Sequence, residues 1–145
     1  MDIVQLKEEF IRLYGDNSSD GKSNLRVFIS PGRVNLIGEH TDYNGGYVLP
    51  AALTMSSTVV VRKRANRVIN LRATDLEGLL VSASLDKLEE YKHLKWGNYQ
   101  LGVANELQES GYNLTGCDML FHDTVPIGSG LSSSAAIELA TAYGL

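Results

Sequence analysis

Between Ser30 and Pro50 the chain reads SPGRVNLIGEHTDYNGGYVLP, and its ionisable and hydrogen-bonding groups crowd into this stretch. Arg33, Glu39, His40 and Asp42 carry or can carry charge, and Asn35, Thr41, Tyr43 and Asn44 add polar groups. Carboxylates accept hydrogen bonds from hydroxyls, and an imidazole can donate or accept. The cluster therefore suits a small polyhydroxylated ligand. The plain alternative is a solvated turn. Against it, Arg33 stands just before the apolar run Val34-Asn35-Leu36-Ile37, where a buried charge needs a partner. Two carboxylates crowded around His40 are also costly to order without a use. Glu-His-x-Asp lacks the two-histidine helical spacing of a zinc enzyme, which argues against a metal in this cluster.

A second polar stretch, Val125 to Ala136 (VPIGSGLSSSAA), joins an apparent strand to an alanine- and leucine-rich segment that reads as a helix from about Ser133. A Gly/Ser loop feeding a helix N-terminus offers unpaired backbone N–H groups and the positive end of the helix dipole, which together attract anions. Serine hydroxyls add donors or a ligand for magnesium. The loop is not a Walker A motif, because no Gly-Lys-Ser/Thr follows, and it lacks the third glycine of a dinucleotide fingerprint. Taken alone, a Gly/Ser-capped helix is as readily structural as functional.

The elements that must position these stretches are legible in order. Asp2 to Tyr14 predicts an amphipathic helix with Ile3, Leu6, Phe10 and Leu13 on one face, capped by Asp2 and ended by Gly15. A polar loop is expected over 16–24. Leu25 to Ile29 predicts a strand, and Val34 to Ile37 a short one whose polar continuation lies on a loop. Ser57 to Arg62, Val68 to Arg72 and Leu79 to Ser84 predict further strands, with a turn over Thr74 to Gly78. Arg62-Lys63-Arg64 reads as a solvated strand end. Asp86 to Lys95 reads as a charged surface segment with His93 in solvent. A helix is predicted to open at Gly97-Asn98-Tyr99, run to Ser110 and close at Gly111, with Tyr99, Val103 and Leu107 facing the core. Cys117 to Val125 predicts a strand with Cys117, Met119 and Phe121 inward and His122 structural. Trp96, the only tryptophan, reads most simply as packing.

The chain has 145 residues, 43% hydrophobic and 21% charged, which fits one ordinary globular domain. Its net charge of -4 argues against a nucleic-acid surface. A single cysteine, Cys117, permits no internal disulfide. There is no signal-like apolar core and no membrane-length segment. A cytoplasmic protein is expected, in which the glycosylation-like triplets at Asn17 and Asn113 have no meaning.

Gly32 to Asn44 (GRVNLIGEHTDYN) closely resembles the signature of galactokinases, members of the small-molecule kinase family that also holds homoserine and mevalonate kinases. The Pro126 to Ala135 loop resembles that family's ATP-phosphate loop, and the two motifs come in the family's order. The resemblance implies an α+β fold: a mixed or antiparallel sheet with helices mainly on one face, forming residues 1–145 of an incomplete N-terminal domain. It implies galactose and ATP with Mg²⁺ as small-molecule partners. It further implies that Glu39, His40 and Asp42 hold sugar hydroxyls and that Arg33 is catalytic, near the phosphoryl acceptor. Gly128, Ser129, Gly130, Leu131, Ser132, Ser133 and Ser134 would cradle phosphates, with Ser134 on Mg²⁺. Trp96 would lie beside the adenine. The family's catalytic aspartate and its acidic Mg²⁺ ligand are expected beyond residue 145. Related readings are a kinase of N-acetylgalactosamine or another sugar, a non-catalytic sugar sensor, and a partial binding module. Sensors resemble galactokinases lacking two residues at the Ser-Ala end of the loop, which is intact here.

Overall fold

The computed structural model describes residues 1–16, 24–126 and 128–145. The loop expected over 16–24 falls mostly outside this set, as do Asn17 and Ile127. Helix α1 (Ile3–Tyr14) is followed by strands β1 (Arg26–Asn35), β2 (Pro50–Lys63), β3 (Val68–Ala73) and β4 (Val81–Ser84). Helix α2 (Asn98–Glu109), strand β5 (Cys117–Asp123) and helix α3 (Ser133–Gly144) complete the order. The sheet runs β1-β2-β5-β3-β4, with β3 and β5 parallel and every other pair antiparallel. It is the mixed sheet that was expected.

α2 and α3 cover one face. Their Leu101, Ala104 and Ala140 pack with Val59, Leu71 and Phe121 in the main core. α1 covers the other face through Leu6 and Phe10 against Val60 and Leu120. Asp2 starts α1 as predicted: its side chain accepts from Gln5 N–H, while the Gln5 side chain accepts from Asp2 N–H. Leu6 and Phe10 are buried as expected, but Ile3 is exposed.

Four expectations are corrected. β1 is one strand through Pro31, not two, because it lies at the sheet edge, where a missing N–H is tolerated. β2 starts at Pro50 rather than Ser57. Residues 117–121 of β5 are buried on both faces, since α1 shields the side of Asp118 and Leu120. Tyr99 points outward, and Gln100, Leu101 and Ala104 form the buried face of α2.

The basic run is corrected too. Arg62 is buried, and its guanidinium reaches Asp118 at 3.0 Å and the carbonyls of Gly15 and Tyr14. Arg64 bonds the other Asp118 oxygen at 2.8 Å, as does Asn70. Asp118 is 1% exposed, and two guanidiniums and an amide satisfy its carboxyl oxygens, as a buried polar group requires. This network pins the end of α1 to the centre of the sheet. His122 is structural as predicted, with Nδ1 2.8 Å from Thr74 Oγ1, and His93 is exposed. Burial, with the Asp118 charge beside it, pushes the Cys117 thiol up to about 12, so it is an inert core group. Among the described residues no helix is long and apolar enough to cross a membrane.

Candidate active site

β1 delivers the first polar stretch. Its register against β2 shifts between Pro31 and Arg33, a bulge centred on Gly32. A Cβ at Gly32 would stand 2.9 Å from Leu131 O and 3.1 Å from a Val125 methyl. Only glycine lets β1 approach the second stretch this closely. Arg33 N–H donates to Leu131 C=O at 3.0 Å. The two motifs, about a hundred residues apart in sequence, are therefore hydrogen-bonded to each other. Arg33 itself is exposed, which corrects the expectation of a buried, partnered charge.

Beyond Asn35 the chain forms a self-braced loop. Thr41 Oγ1 lies 2.6 Å from Gly38 O and 2.9 Å from Tyr47 O. Asn44 Nδ2 donates to His40 O at 2.7 Å, and a 3₁₀ turn spans Asp42–Asn44. Gly38 has φ +104, and a side chain there would overlap the Tyr47 carbonyl oxygen. His40 adopts φ +61, an unusual conformation for a non-glycine residue, and these bonds hold it there. Its Nδ1 is 2.6 Å from the Tyr43 hydroxyl, which leaves Nε2 for another partner. Glu39, His40 and Asp42 are all exposed on this loop. Among the described residues the carboxylates of Glu39 and Asp42 pair with nothing.

The second stretch behaves differently. Gly128, Gly130 and Ser132 have positive φ of 73°, 74° and 61°. Ser132 sits at the N-cap of α3, yet its side chain caps nothing, so the first-turn N–H groups of the helix keep their capacity for an anion. The Ser129 hydroxyl is committed to Pro126 O at 2.7 Å. Ser133 is partly exposed and Ser134 exposed.

Ser133 and Ser134 also line a cleft of about 390 Å³ between α2, α3 and the end of β5. Trp96 lines it too, half-buried, so the structure brings Trp96 and the serines at the start of α3 to one cavity. Glu39, His40 and Asp42 are not part of its wall. Asp75, Lys95, Gln100 and Asp123 are part of it, and sequence reasoning missed them. Partial loss of water around the Asp123 carboxyl raises its pKa from the ordinary value, and the Asp75 charge adds to the rise. The signal available in sequence was positional: Asp123 ends a strand just before the Gly/Ser loop, and Gln100 is four residues after Trp96.

A mixed sheet with a Gly/Ser loop opening α3 is the arrangement of the GHMP kinases. Residues 98–145 match the family described as "GHMP kinases N terminal domain". Mevalonate kinase of Methanococcus jannaschii superposes with a TM-score of 0.68 at 24% identity, over 85% of this chain and 39% of that one, a likeness of fold. Residues 8–63 match the "Galactokinase galactose-binding signature". The chain is 48% identical to galactokinase of Clostridium tetani over 96% of its length and 34% of the relative's. It is 43% identical to galactokinase of Halalkalibacterium halodurans over 98% of its length and 36% of the relative's. Lactococcus lactis galactokinase, solved in complex with galactose, superposes with a TM-score of 0.85 at 38% identity, over 95% of this chain and 35% of that one. The chain belongs to the galactokinase family and spans about a third of the length of the curated relatives it matches.

Proposed function

We propose that this chain is the sugar- and phosphate-binding part of a galactokinase, an enzyme that moves the γ-phosphoryl group of ATP to the anomeric hydroxyl of α-D-galactose. The observation that carries the reading is the bond from Arg33 N–H to Leu131 O, which ties the strand that leads into the polyol-reading loop to the anion-reading loop. Phosphoryl transfer needs in-line positioning and neutralisation of charge more than covalent help. In this reading the two loops, joined through that bond, supply the positioning.

In this reading Glu39, Asp42 and His40 Nε2 hold sugar hydroxyls, and the braced loop orders them before the sugar arrives. The Arg33 guanidinium, exposed at the junction of the two motifs, steadies charge on the phosphoryl group as it moves. Backbone N–H groups over 128–134, with the Ser132, Ser133 and Ser134 hydroxyls, hold phosphate oxygens. Trp96 walls the base.

The residues fit a nucleotide, because the uncapped start of α3 and the Trp96 cleft adjoin. They fit Mg²⁺ in part. Ser134 offers one hard oxygen, and among the described residues no group of three or more acidic, histidine or cysteine side chains could hold a metal alone. When bound, Mg²⁺ would offset phosphate charge, held largely by the phosphates themselves. The reading of a kinase rather than a silent sensor is supported by the continuous Ser132 to Ala136 segment, which forms the intact start of α3. A cytoplasmic location is in keeping with this reading.

The test is ADP release by the protein that carries this chain, against galactose, N-acetylgalactosamine, other hexoses and mevalonate-type alcohols. Galactose-dependent release is expected. Turnover of mevalonate or homoserine without any hexose would remove the sugar assignment.

A further inference from the structure

Gln100 stands in the first turn of α2 and is 2% exposed. Its Nε2 is fully buried and has no hydrogen-bond partner among the described residues. Buried polar groups are nearly always paired, and an orphaned donor is costly enough to need an explanation. Gln100 is one of the residues that line the cleft also holding Trp96, Ser133 and Ser134.

The chemistry of the cleft narrows what could accept from that amide. Glu39, His40 and Asp42 lie outside it, so it is not the sugar's place. Asp75, Asp123 and Lys95 line it, two carboxyl groups to one ammonium, so the cavity has no cationic excess to draw a polyphosphate past Ser133 and Ser134. Its apolar wall, formed by Leu76, Trp96, Val125 and Ile137, suits a flat heteroaromatic ring. A ring of that kind with unprotonated ring nitrogens supplies the acceptor that Gln100 lacks.

We propose that Gln100 is a specificity-determining contact for the phosphoryl donor, its side-chain amide donating to a ring nitrogen of a purine base held against Trp96. This rests on the nucleotide reading of the cleft given above. No bond in the free protein is broken when the base arrives. An unpaired donor becomes paired, and that gain is realised only in the complex.

The test uses Gln100→Met, which keeps an unbranched side chain of similar length and removes the amide. Calorimetric titrations with ATP, inorganic tripolyphosphate and galactose separate the base from the phosphates and from the sugar. The expected result is about tenfold weaker ATP binding, with tripolyphosphate and galactose changed by less than about twofold. The ligand-free variant should melt no lower than the wild type, because it has lost a buried unpaired donor. ATP affinity within about twofold of wild type overturns the assignment, and so does equal weakening of ATP and tripolyphosphate. If the methionine variant fails to fold, Gln100→Glu serves: it preserves shape but puts an acceptor where a donor is required. The same loss for ATP alone supports the proposal, and unchanged ATP binding overturns it. A wild-type protein that binds galactose but no ATP would instead remove the nucleotide reading itself, before any variant is compared.

Discussion

The two loops of the site are both short, polar and glycine-rich, yet they are built on opposite plans. In the 38–47 loop the side chains brace the backbone: Thr41 shares its hydroxyl proton between two carbonyls, Asn44 donates to a third, and Tyr43 steadies His40. Among the described residues of the 126–133 loop the side-chain bracing comes from Ser129 alone, whose hydroxyl donates to Pro126 O and accepts a long bond from Leu131 N–H. There the path is set by dihedral angles, positive at Gly128, Gly130 and Ser132. The difference follows from what each presents. A loop that reads hydroxyls works through side-chain ends, so its backbone must be held by other side chains. A loop that reads an anion works through its own N–H groups, so those groups must stay unpaired.

That contrast can be broken most forcefully at Asp42. Asp42→Ala leaves at least two sugar hydroxyls without an acceptor, at about 1–3 kcal/mol each, so galactose affinity should fall by about a hundredfold or more. ATP affinity should hold. Calorimetry with each ligand decides, and equal loss of both would make Asp42 a structural residue. On the other loop, Ser134→Ala should lower turnover about tenfold and raise the Mg²⁺ needed for half-maximal rate, with galactose binding unchanged. A Mg²⁺ titration of the rate that superimposes on wild type would return the role to backbone or to another serine.

A smaller effect is expected from loosening the bracing alone. Thr41→Val keeps the shape and removes the single hydroxyl proton shared between Gly38 O and Tyr47 O. Galactose binding should weaken about fivefold with little change in ATP binding, since one such hydrogen bond is worth about 1 kcal/mol. An unchanged sugar affinity would show that the loop needs no bracing. The smallest effect concerns Asp123. Its carboxyl is harder to ionise in the folded protein than in the unfolded chain. The fold therefore loses stability as pH rises past the unfolded value near 3.8 and through the raised folded one. Asp123→Asn should raise the melting temperature slightly at pH 7 and leave it unchanged at pH 3. A variant that melts lower at pH 7 would contradict the raised pKa.

What could be read from the chain divides along the range of the interactions. The α1 cap is written in residues three apart, and the 74–78 turn in five consecutive ones, so both are local and legible. So were the two polar motifs, whose density of charge and glycine stands out without any fold. The Arg62–Asp118–Arg64 network was not legible, because it joins residues over fifty positions apart and nothing in a basic run says that its counter-charge is buried. β5 was misread as one-sided because alternation is lost when both faces are covered. Tyr99 was misread because its helix buries Gln100, a polar residue, in the place where an apolar one was sought. That exception to the pattern lies in the wall of the candidate nucleotide cleft.

The strand order β1-β2-β5-β3-β4 carries a consequence for how the chain reaches its native state. β1 with β2, and β3 with β4, can pair as soon as each is made, since their partners are neighbours in sequence. β5 must then enter between the two ribbons, pairing β2 and β3 at once after a loop that runs from Lys63 to Cys117 on the β2 side. Closing that loop is the slow, entropically costly event. Until it happens, β2 and β3 each present an open, Val- and Leu-bearing edge, the kind that joins chains together. A substitution that weakens β5, at Met119 or Phe121, should therefore appear first as lower soluble yield during expression, before any change in the sugar or phosphate sites can be measured.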